Sequence, residues 1–479
     1  MLNYIWLSFL LIAVLVGGFT GKLPAMTTGA FDTAKTAVMD IALPLIGVMA
    51  IWLGIMRLAE RSGLVQLIAR VLRPLMVRLF PDVPSDHPAI GAMVMNMAAN
   101  MLGLGNAATP LGLRAMSLLE KLNPHPGVAS NAMCTFLAIN TASIQLIPTT
   151  AIGLLAIAGS TNPTAIVPAA FLATLIAASS GVVAAKLLER LPIFRLPPAT
   201  TSLAVDSAAE DVGREEEVET FTFAPFTPMR STVLGLLFVF FVSLLVLGTF
   251  PQWRISLLGA WPVDWAERSL AASRAWPIAL VTSPGAFPAI YGAELQAAQH
   301  GVVVRFLESI SVLAIPFLLT FFPLYATLRG VKVYEQFVDG AKEAFSVGQR
   351  IIPFLVAMLV SVRLLREAGV IALVTERLTP LLNIIRMPAD LLPMVLMRPL
   401  SGSATQGLFV ELINRLGPDS LISRMAATIY GSTETTFYVI AVYFGSVAIR
   451  QTRHAIAAGL IADTVAVIAS VTICRVLFG

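Results

Sequence analysis

The sequence predicts an all-α, polytopic integral membrane protein assembled from two copies of one plan, and three observations carry that prediction. Apolar residues make up 57% of the 479 and charged residues only 13%, with a mean hydropathy of +0.82. Several apolar runs are long enough for a helix to cross a hydrocarbon core about 30 Å thick. The third observation is an internal repeat. RLAERSGLVQLIARVLRPLMVRL (Arg57–Leu79) aligns with RLLREAGVIALVTERLTPLLNII (Arg363–Ile385), setting Gly63 over Gly369 and Pro74 over Pro380 at one constant offset.

In chain order, Tyr4–Phe19 could pass for a leader, but no Lys or Arg precedes it and no convincing small-residue cleavage site follows, so it reads as a retained transmembrane helix. Val38–Met56 is a span, and Leu64–Leu79, apolar with interspersed arginines, reads as an interfacial amphipathic helix. Pro88–Leu119 is a short apolar segment interrupted by Gly and small polar residues. Val128–Ala158 is a long apolar segment broken at INTAS (Ile139–Ser143), and Ala165–Leu188 is an uninterrupted helix. Between Leu196 and Thr227 seven acidic residues stand against one Arg. That stretch cannot bury enough apolar surface to offset its ordering entropy and reads as a solvated linker.

Thr232–Phe250 and Val303–Leu328 are spans flanking Pro251–Gly301, a tract with Trp253, Trp261, Trp265 and Trp276 expected to lie against the membrane surface. The second copy then repeats the first: a span at Ile351–Val362, an interfacial helix at Val370–Ile385, an interrupted segment at Pro388–Asn414, a long segment Leu421–Val447 broken at GSTETT (Gly431–Thr436), and a final helix Ala455–Leu477. The expected domains are a first membrane module at 1–195, the acidic linker at 196–228, connecting helices at 229–330 and a second module at 331–479.

Composition and motifs exclude several classes of function. The net charge of +4 and pI near 9.2 come from arginines beside apolar segments, which the positive-inside rule explains without a nucleic-acid partner. Cys134 and Cys474 lie far apart inside apolar helices and support neither a disulfide nor a metal site. The four histidines, His87, His125, His300 and His454, are scattered, and no metal is expected. No Walker loop, HExxH or GxSxG is present, so an enzyme and direct use of ATP are not expected, nor is an organic cofactor.

Paired interruptions at matching places in two halves point to a transport site. A helix broken in mid-membrane frees N–H and C=O groups that are tolerated only where they line a cavity or bind something. Asn96, Asn100 and Asn106 in NMAANMLGLGNAATPLG, and the oxygens of Asn140, Thr141 and Ser143 in the first break, would be costly in hydrocarbon unless they met partners, an ion or a solute. Glu434, a carboxylate in the middle of an apolar segment beside Thr433 and Thr436, is the most telling residue. RPLSGSATQG adds Ser401, Ser403, Thr405 and Gln406, with Arg398 ahead of them as an anion-holding group or an interfacial anchor. The plain alternative for any single member is an interhelical hydrogen bond.

These residues carry a resemblance. NMAANMLGLGNAATPLGLRAM with NAMCTFLAINTASIQLIPTT resembles the spore maturation protein A family, and MRPLSGSATQGLF with ATIYGSTETTFYVIAVYFGSV resembles spore maturation protein B. The chain is similar to a fusion of the two over nearly its full length, through two copies of the nucleoside recognition or Gate domain. That superfamily includes concentrative nucleoside transporters and the membrane part of ferrous-iron transporter B. The resemblance therefore implies translocation of a solute or ion, with re-entrant hairpins at Pro88–Leu119 and Pro388–Asn414 and discontinuous helices broken at Asn140–Ser143 and Ser432–Thr436.

By that similarity Glu434, Thr433 and Gln406, with Thr436 and Ser403 beside them, are substrate residues. Asn100, Asn106, Asn140 and Ser143, with Thr141, are ion or substrate ligands, Asn106 being grouped with the substrate set. Substrate identity does not transfer, and the spore-related name is a label on relatives. The expectation is a multi-pass secondary transporter of a small polar solute in a bacterial inner membrane, its Na⁺ or H⁺ coupling and any homo-oligomer left open. The alternatives are an ion or metal permease and a non-transporting membrane scaffold. Matching arginine-rich segments argue for parallel repeats, whereas counting spans around two re-entrant hairpins inverts the second copy, and the inverted arrangement is favoured.

Overall fold

Apolar stretches free of Gly and Pro set the long helices, and Pro, Gly and small polar residues set where they stop. A computed structural model describes residues 2–103, 105–195, 227–250, 253, 301–370, 373, 376–377, 382 and 386–479. Its elements begin with α1 (Leu2–Phe19), α2 (Leu23–Thr36), and a π-helical turn (Ala37–Ala42) leading into α3 (Leu43–Arg61). Then come α4 (Leu64–Leu79), α5 (Pro88–Met101), α6 (Gly105–Lys121), α7 (Asn131–Thr141), α8 (Thr149–Ile157) and α9 (Ile166–Leu188). After the linker follow α10 (Pro228–Thr249), α11 (Val302–Leu328) and α12 (Val333–Glu367), then α13 (Leu392–Met397), α14 (Gly402–Leu416), α15 (Leu421–Ser432), α16 (Thr436–Gly445) and α17 (Ala455–Phe478). Among the described residues the only extended pairing is a bridge between Val128 and Gln451, and six helical stretches are long and apolar enough to cross a membrane. This is an all-α, multi-pass membrane protein.

The described parts of residues 1–225 and 325–479, which hold both repeats, form one compact unit, and residues 226–324 form another. In the second unit Phe241 of α10 meets Phe317 of α11 edge to face at 5.2 Å. Leu236, Phe238, Val239 and Phe240 are exposed, as a lipid-facing surface requires.

In the first unit α12 lies along α3, and glycines on both helices bring them close. A Cβ on Gly340 would stand 2.6 Å from Leu53 O and 3.1 Å from Gly54 Cα, and one on Gly348 would stand 2.3 Å from Ile46 Cγ1. Gly340, the buried Ala344 and Gly348 recur every four residues and form a small-residue ridge that lets two membrane helices touch backbone to backbone. Gly63 and Gly369, aligned in the sequence repeat, take the same left-handed conformation, φ +82° and +86°.

Three expectations change in extent. The span placed at Ile351–Val362 belongs to the 35-residue α12, whose first half carries Glu335, Asp339, Lys342 and Glu343 and so breaks the apolar run without breaking the helix. The first interruption starts later than Ile139. The Thr141 hydroxyl bonds back to Ala138 O at 2.9 Å, so α7 continues through Thr141 and the chain is non-helical over 142–148. The second interruption shrinks to Thr433–Thr435. The acidic linker, most of the tryptophan tract and most of Val370–Ile385 lie outside the described residues.

Candidate functional site

Each repeat contributes a helical hairpin and a broken helix, and their turns and breaks are bonded together. In the first hairpin α5 packs on α6 across a turn at Leu102 and Gly103, whose φ of +75° suits glycine. In the second, α13 packs on α14 across residues 398–401, and the Ser401 hydroxyl caps α14 by accepting from Ala404 N–H at 3.2 Å. Leu146 N–H, in the first break, donates to Met101 O at 2.9 Å, and Phe437 N–H, just after the second, donates to Pro399 O at 3.0 Å. The breaks also bond to each other, Glu434 N–H donating to Thr141 O at 3.0 Å. Backbone groups freed by interrupting two helices are thus satisfied by protein rather than left to lipid.

The two broken helices run antiparallel, because α7 packs against α16 and α8 against α15. The loops leading into the helices repeat this reciprocity. Arg453, just before α17, donates to Ala129 O at 2.9 Å and to Asn131 Oδ1 at 2.8 Å at the start of α7. Asp419, just before α15, accepts from Ser160 Oγ at 2.6 Å, Thr161 N–H at 2.9 Å and Thr161 Oγ at 2.8 Å, just before α9. The repeats are therefore inverted, the geometry that offers equivalent halves to the two sides of a membrane.

Arg398, at the turn of the second hairpin, is 5% exposed and turned toward the end of α15. Its Nε donates to Thr433 Oγ at 2.8 Å, and its Nη2 donates to Tyr430 O at 2.9 Å and to Thr433 O. The guanidinium also lies 4.5 Å over the Tyr430 ring. A cation set against the last carbonyls of α15 answers the partial negative charge that a half-helix carries at its C-terminus.

Glu434 is half-buried at the crossing. Its Oε2 lies 3.5 Å from Ser143 Oγ, and its Oε1 accepts from Thr435 N–H and from the Thr435 hydroxyl, both at 3.3 Å. Ser143 takes a φ of +43°, uncommon for a residue with a Cβ. The Thr174 hydroxyl of α9 holds this corner, 2.7 Å from Ala142 O and 2.9 Å from Ser143 O. Thr433, Glu434, Thr436, Thr141 and Ser143 thus come together at the two breaks.

Asn100 and Asn140 belong to an adjoining amide network. Asn100 Nδ2 donates to Asn140 Oδ1 at 2.9 Å, Asn140 Nδ2 donates to Phe136 O at 2.9 Å, and the Tyr443 hydroxyl stands 3.4 Å from Asn140 Oδ1. Asn96 Nδ2 donates to Ala108 O at 2.7 Å and stands 3.3 Å from the Tyr443 hydroxyl. The network ties the first hairpin to α7 and α16, the interhelical role common for polar side chains in membrane bundles. On α14, Ser403 Oγ lies 3.3 Å from Ser401 Oγ, and buried Gln406 leaves Nε2 without a hydrogen-bond partner among the described residues. The Asn106 side chain lies outside the described residues.

Sequence reasoning missed Asp463 on α17. It is 6% exposed, and its Oδ2 accepts from the Thr436 hydroxyl at 2.5 Å. The signal was available, since Asp463 is a lone carboxylate inside an apolar helix just as Glu434 is. Tyr443 and Thr174 gave no such signal, being ordinary in apolar helices.

A cavity of about 170 Å³ opens beside the first break, lined by Met49, Trp52 and Met56 of α3, Gly103 of the hairpin turn, and Thr149 and Gly153 of α8. Cys134 and Cys474 are buried and unbridged. His87 Nδ1 caps α5 by accepting from Ala89 N–H at 3.2 Å, and His454 packs edge to face on Phe194 at 5.9 Å. Among the described residues no three His, Cys, Asp or Glu side chains gather as metal ligands would.

The Gate family model, described as nucleoside recognition, matches residues 42–158 and 349–450. Spore maturation protein A of Bacillus subtilis is 44% identical over 183 residues, which is 38% of this chain and 93% of that protein. Spore maturation protein B of Bacillus subtilis is 42% identical over 170 residues, 36% of this chain and 96% of that protein. No solved structure matches the chain.

Proposed function

This chain belongs to the family of spore maturation proteins A and B, and from that premise we propose that it is a secondary transporter of a small polar solute in a bacterial inner membrane. The observation that carries the reading is the crossing of two antiparallel broken helices at Glu434, with a hairpin turn bonded to each break. The match to a nucleoside recognition model supports a solute of nucleoside, base or amino-acid type. Such a solute presents donors and acceptors at short spacing. A carboxylate, amides and hydroxyls on rigid helix ends are the groups that recognise them.

In this proposal Glu434, Thr433, Thr436, Gln406, Ser403 and Asn106 bind the solute, while Asn100, Asn140, Thr141 and Ser143 are ligands of a coupling ion. The ion gradient drives alternating access as one inverted half rocks against the other. The test is uptake by the full chain in sealed vesicles, with labelled nucleosides, bases and amino acids under imposed Na⁺ or pH gradients. Saturable uptake is expected for one class and is lost in Glu434→Gln while that variant still inserts and folds. Wild-type uptake by Glu434→Gln would remove the site assignment. Ion or metal flux without solute uptake would make the protein a permease, and no flux at all would make it a scaffold.

A further inference from the structure

The carboxyl group of Asp463 is unaccounted for by the contacts that hold the fold together. α17 is an apolar helix of 24 residues, and Asp463 sits well inside it, at 6% exposure. One oxygen has a single partner, the Thr436 hydroxyl, and the other, Oδ1, has no hydrogen-bond partner among the described residues. An ionised carboxylate can accept several hydrogen bonds, and burying one with a bare oxygen is among the costliest things a membrane helix can do. A carboxylic acid has no such debt, since its protonated oxygen carries no charge.

Position adds to chemistry. Thr436 is the first residue of α16, so the one side-chain hydrogen bond to the Asp463 carboxyl group among the described residues starts at the second break, two residues from Glu434. One turn before Asp463, Gly459 keeps the helices close: a Cβ there would stand 2.8 Å from Thr436 Cγ2 and 3.4 Å from Thr141 Oγ1. The end of α7, the start of α16 and Asp463 therefore share one crowded corner, and movement at the breaks changes the surroundings of this carboxyl group.

Few charges reach it from the elements packed on α17. α7 contributes Cys134, α9 contributes Lys186 near its far end, α15 contributes Arg424 and Tyr430, and α16 contributes Tyr438 and Tyr443. α17 itself carries Cys474 and Arg475 near its end, with His454 ahead of its first residue. Arg398 and Glu434 act on Asp463 with opposite sign, and the Arg398 guanidinium is already engaged by Tyr430 and Thr433.

We propose that Asp463 is a proton-binding site, protonated while the two breaks are bonded as seen here and releasing its proton when the α15–α16 break opens. This rests on the transport reading for its use, where a proton on Asp463 would take the coupling role in place of an ion held by Asn100, Asn140, Thr141 and Ser143, but proton occupancy can be measured without any solute. The step is a plain acid dissociation: the O–H bond of the carboxylic acid breaks and the proton passes to water admitted at the open break.

The experiment is infrared titration of the full chain in lipid bilayers, following the C=O band of protonated carboxylic acids. The expected result is a band at neutral pH that is present in wild type and Glu434→Gln and absent in Asp463→Asn, whose amide is a neutral isostere and keeps the Thr436 contact. Removing the donor with Thr436→Val should move the band to higher frequency, because the carboxyl group loses its hydrogen bond. Identical spectra for wild type and Asp463→Asn would overturn the proposal, and so would loss of the band on replacing choline with Na⁺ at constant pH. Should Asp463→Asn fail to insert, Thr436→Val decides, and an unmoved band rejects the site. Failed uptake with the band present would count against transport and leave the proton site standing.

Discussion

Replacing Arg398 with Met removes the cap on half-helix α15 while keeping a long side chain in the space. In the wild type one guanidinium satisfies Thr433 Oγ, Tyr430 O and Thr433 O and stacks on the Tyr430 ring. The substitution strands two buried carbonyls, each worth about 1–3 kcal/mol when unpaired, and loses a cation–π contact of about 1 kcal/mol. Against this, the variant no longer has to desolvate a charge. The net loss is about 3 kcal/mol, and Arg398→Lys, which keeps the charge but not the planar fork, should recover only part of it. The assay is apparent melting temperature of the purified chain in detergent, read by intrinsic fluorescence, with insertion checked separately. Arg398→Met should melt several degrees below wild type with Arg398→Lys between them. Melting of Arg398→Met with the wild type would refute the view that this guanidinium holds the end of α15.

Gly340→Val should cost about 3 kcal/mol and reduce the yield of monodisperse protein, because its Cβ would fall 2.6 Å from a backbone oxygen of α3. Gly47→Ala, on the same α3 but with nothing within 4 Å of the added carbon, should leave the chromatographic profile unchanged. His454, just ahead of α17, is held well below the usual histidine range, at about 4 instead of 6.5, by burial and then by the nearby charges of Arg453 and Lys186. The folded state keeps it neutral while the unfolded chain takes up a proton, so its contribution to stability is complete above pH 6.5 and is lost as pH falls toward about 4. The apparent melting temperature should therefore drop over that window, and His454→Leu should flatten the slope.

The fold was legible where local chemistry decides it. The bounds of α4 follow from Gly63 before it and from its apolar stripe, and both hairpins follow from Gly, Pro and small polar residues inside apolar segments. α12 was underestimated because Glu335, Asp339, Lys342 and Glu343 hide a helix that the Gly340, Ala344, Gly348 ridge would have revealed. The inversion could not be read from arginine positions, since interfacial helices carry arginine on either side of a membrane. It emerges only from the packing of α7 on α16 and α8 on α15. The place of Glu434 at the break between α15 and α16 was legible because a carboxylate in an apolar segment needs a reason, and Asp463 met the same criterion. The contacts of Asn100 and Asn140 with each other and with Tyr443 were not legible, because asparagine gives one sequence signal whatever its partner.

The central claim, that a polar solute binds where the broken helices cross, is tested most directly by ligand-induced thermal shift on the purified full chain. The panel comprises nucleosides, bases, amino acids, dicarboxylates and divalent metals, each with and without Na⁺, on wild type and Glu434→Gln. A ligand that binds the native state must raise its stability. The account predicts saturable stabilisation by one class of organic solute, absent in a Glu434→Gln protein that melts normally without ligand. Equal stabilisation of both proteins would contradict it, as would no response of the wild type to any member of the panel.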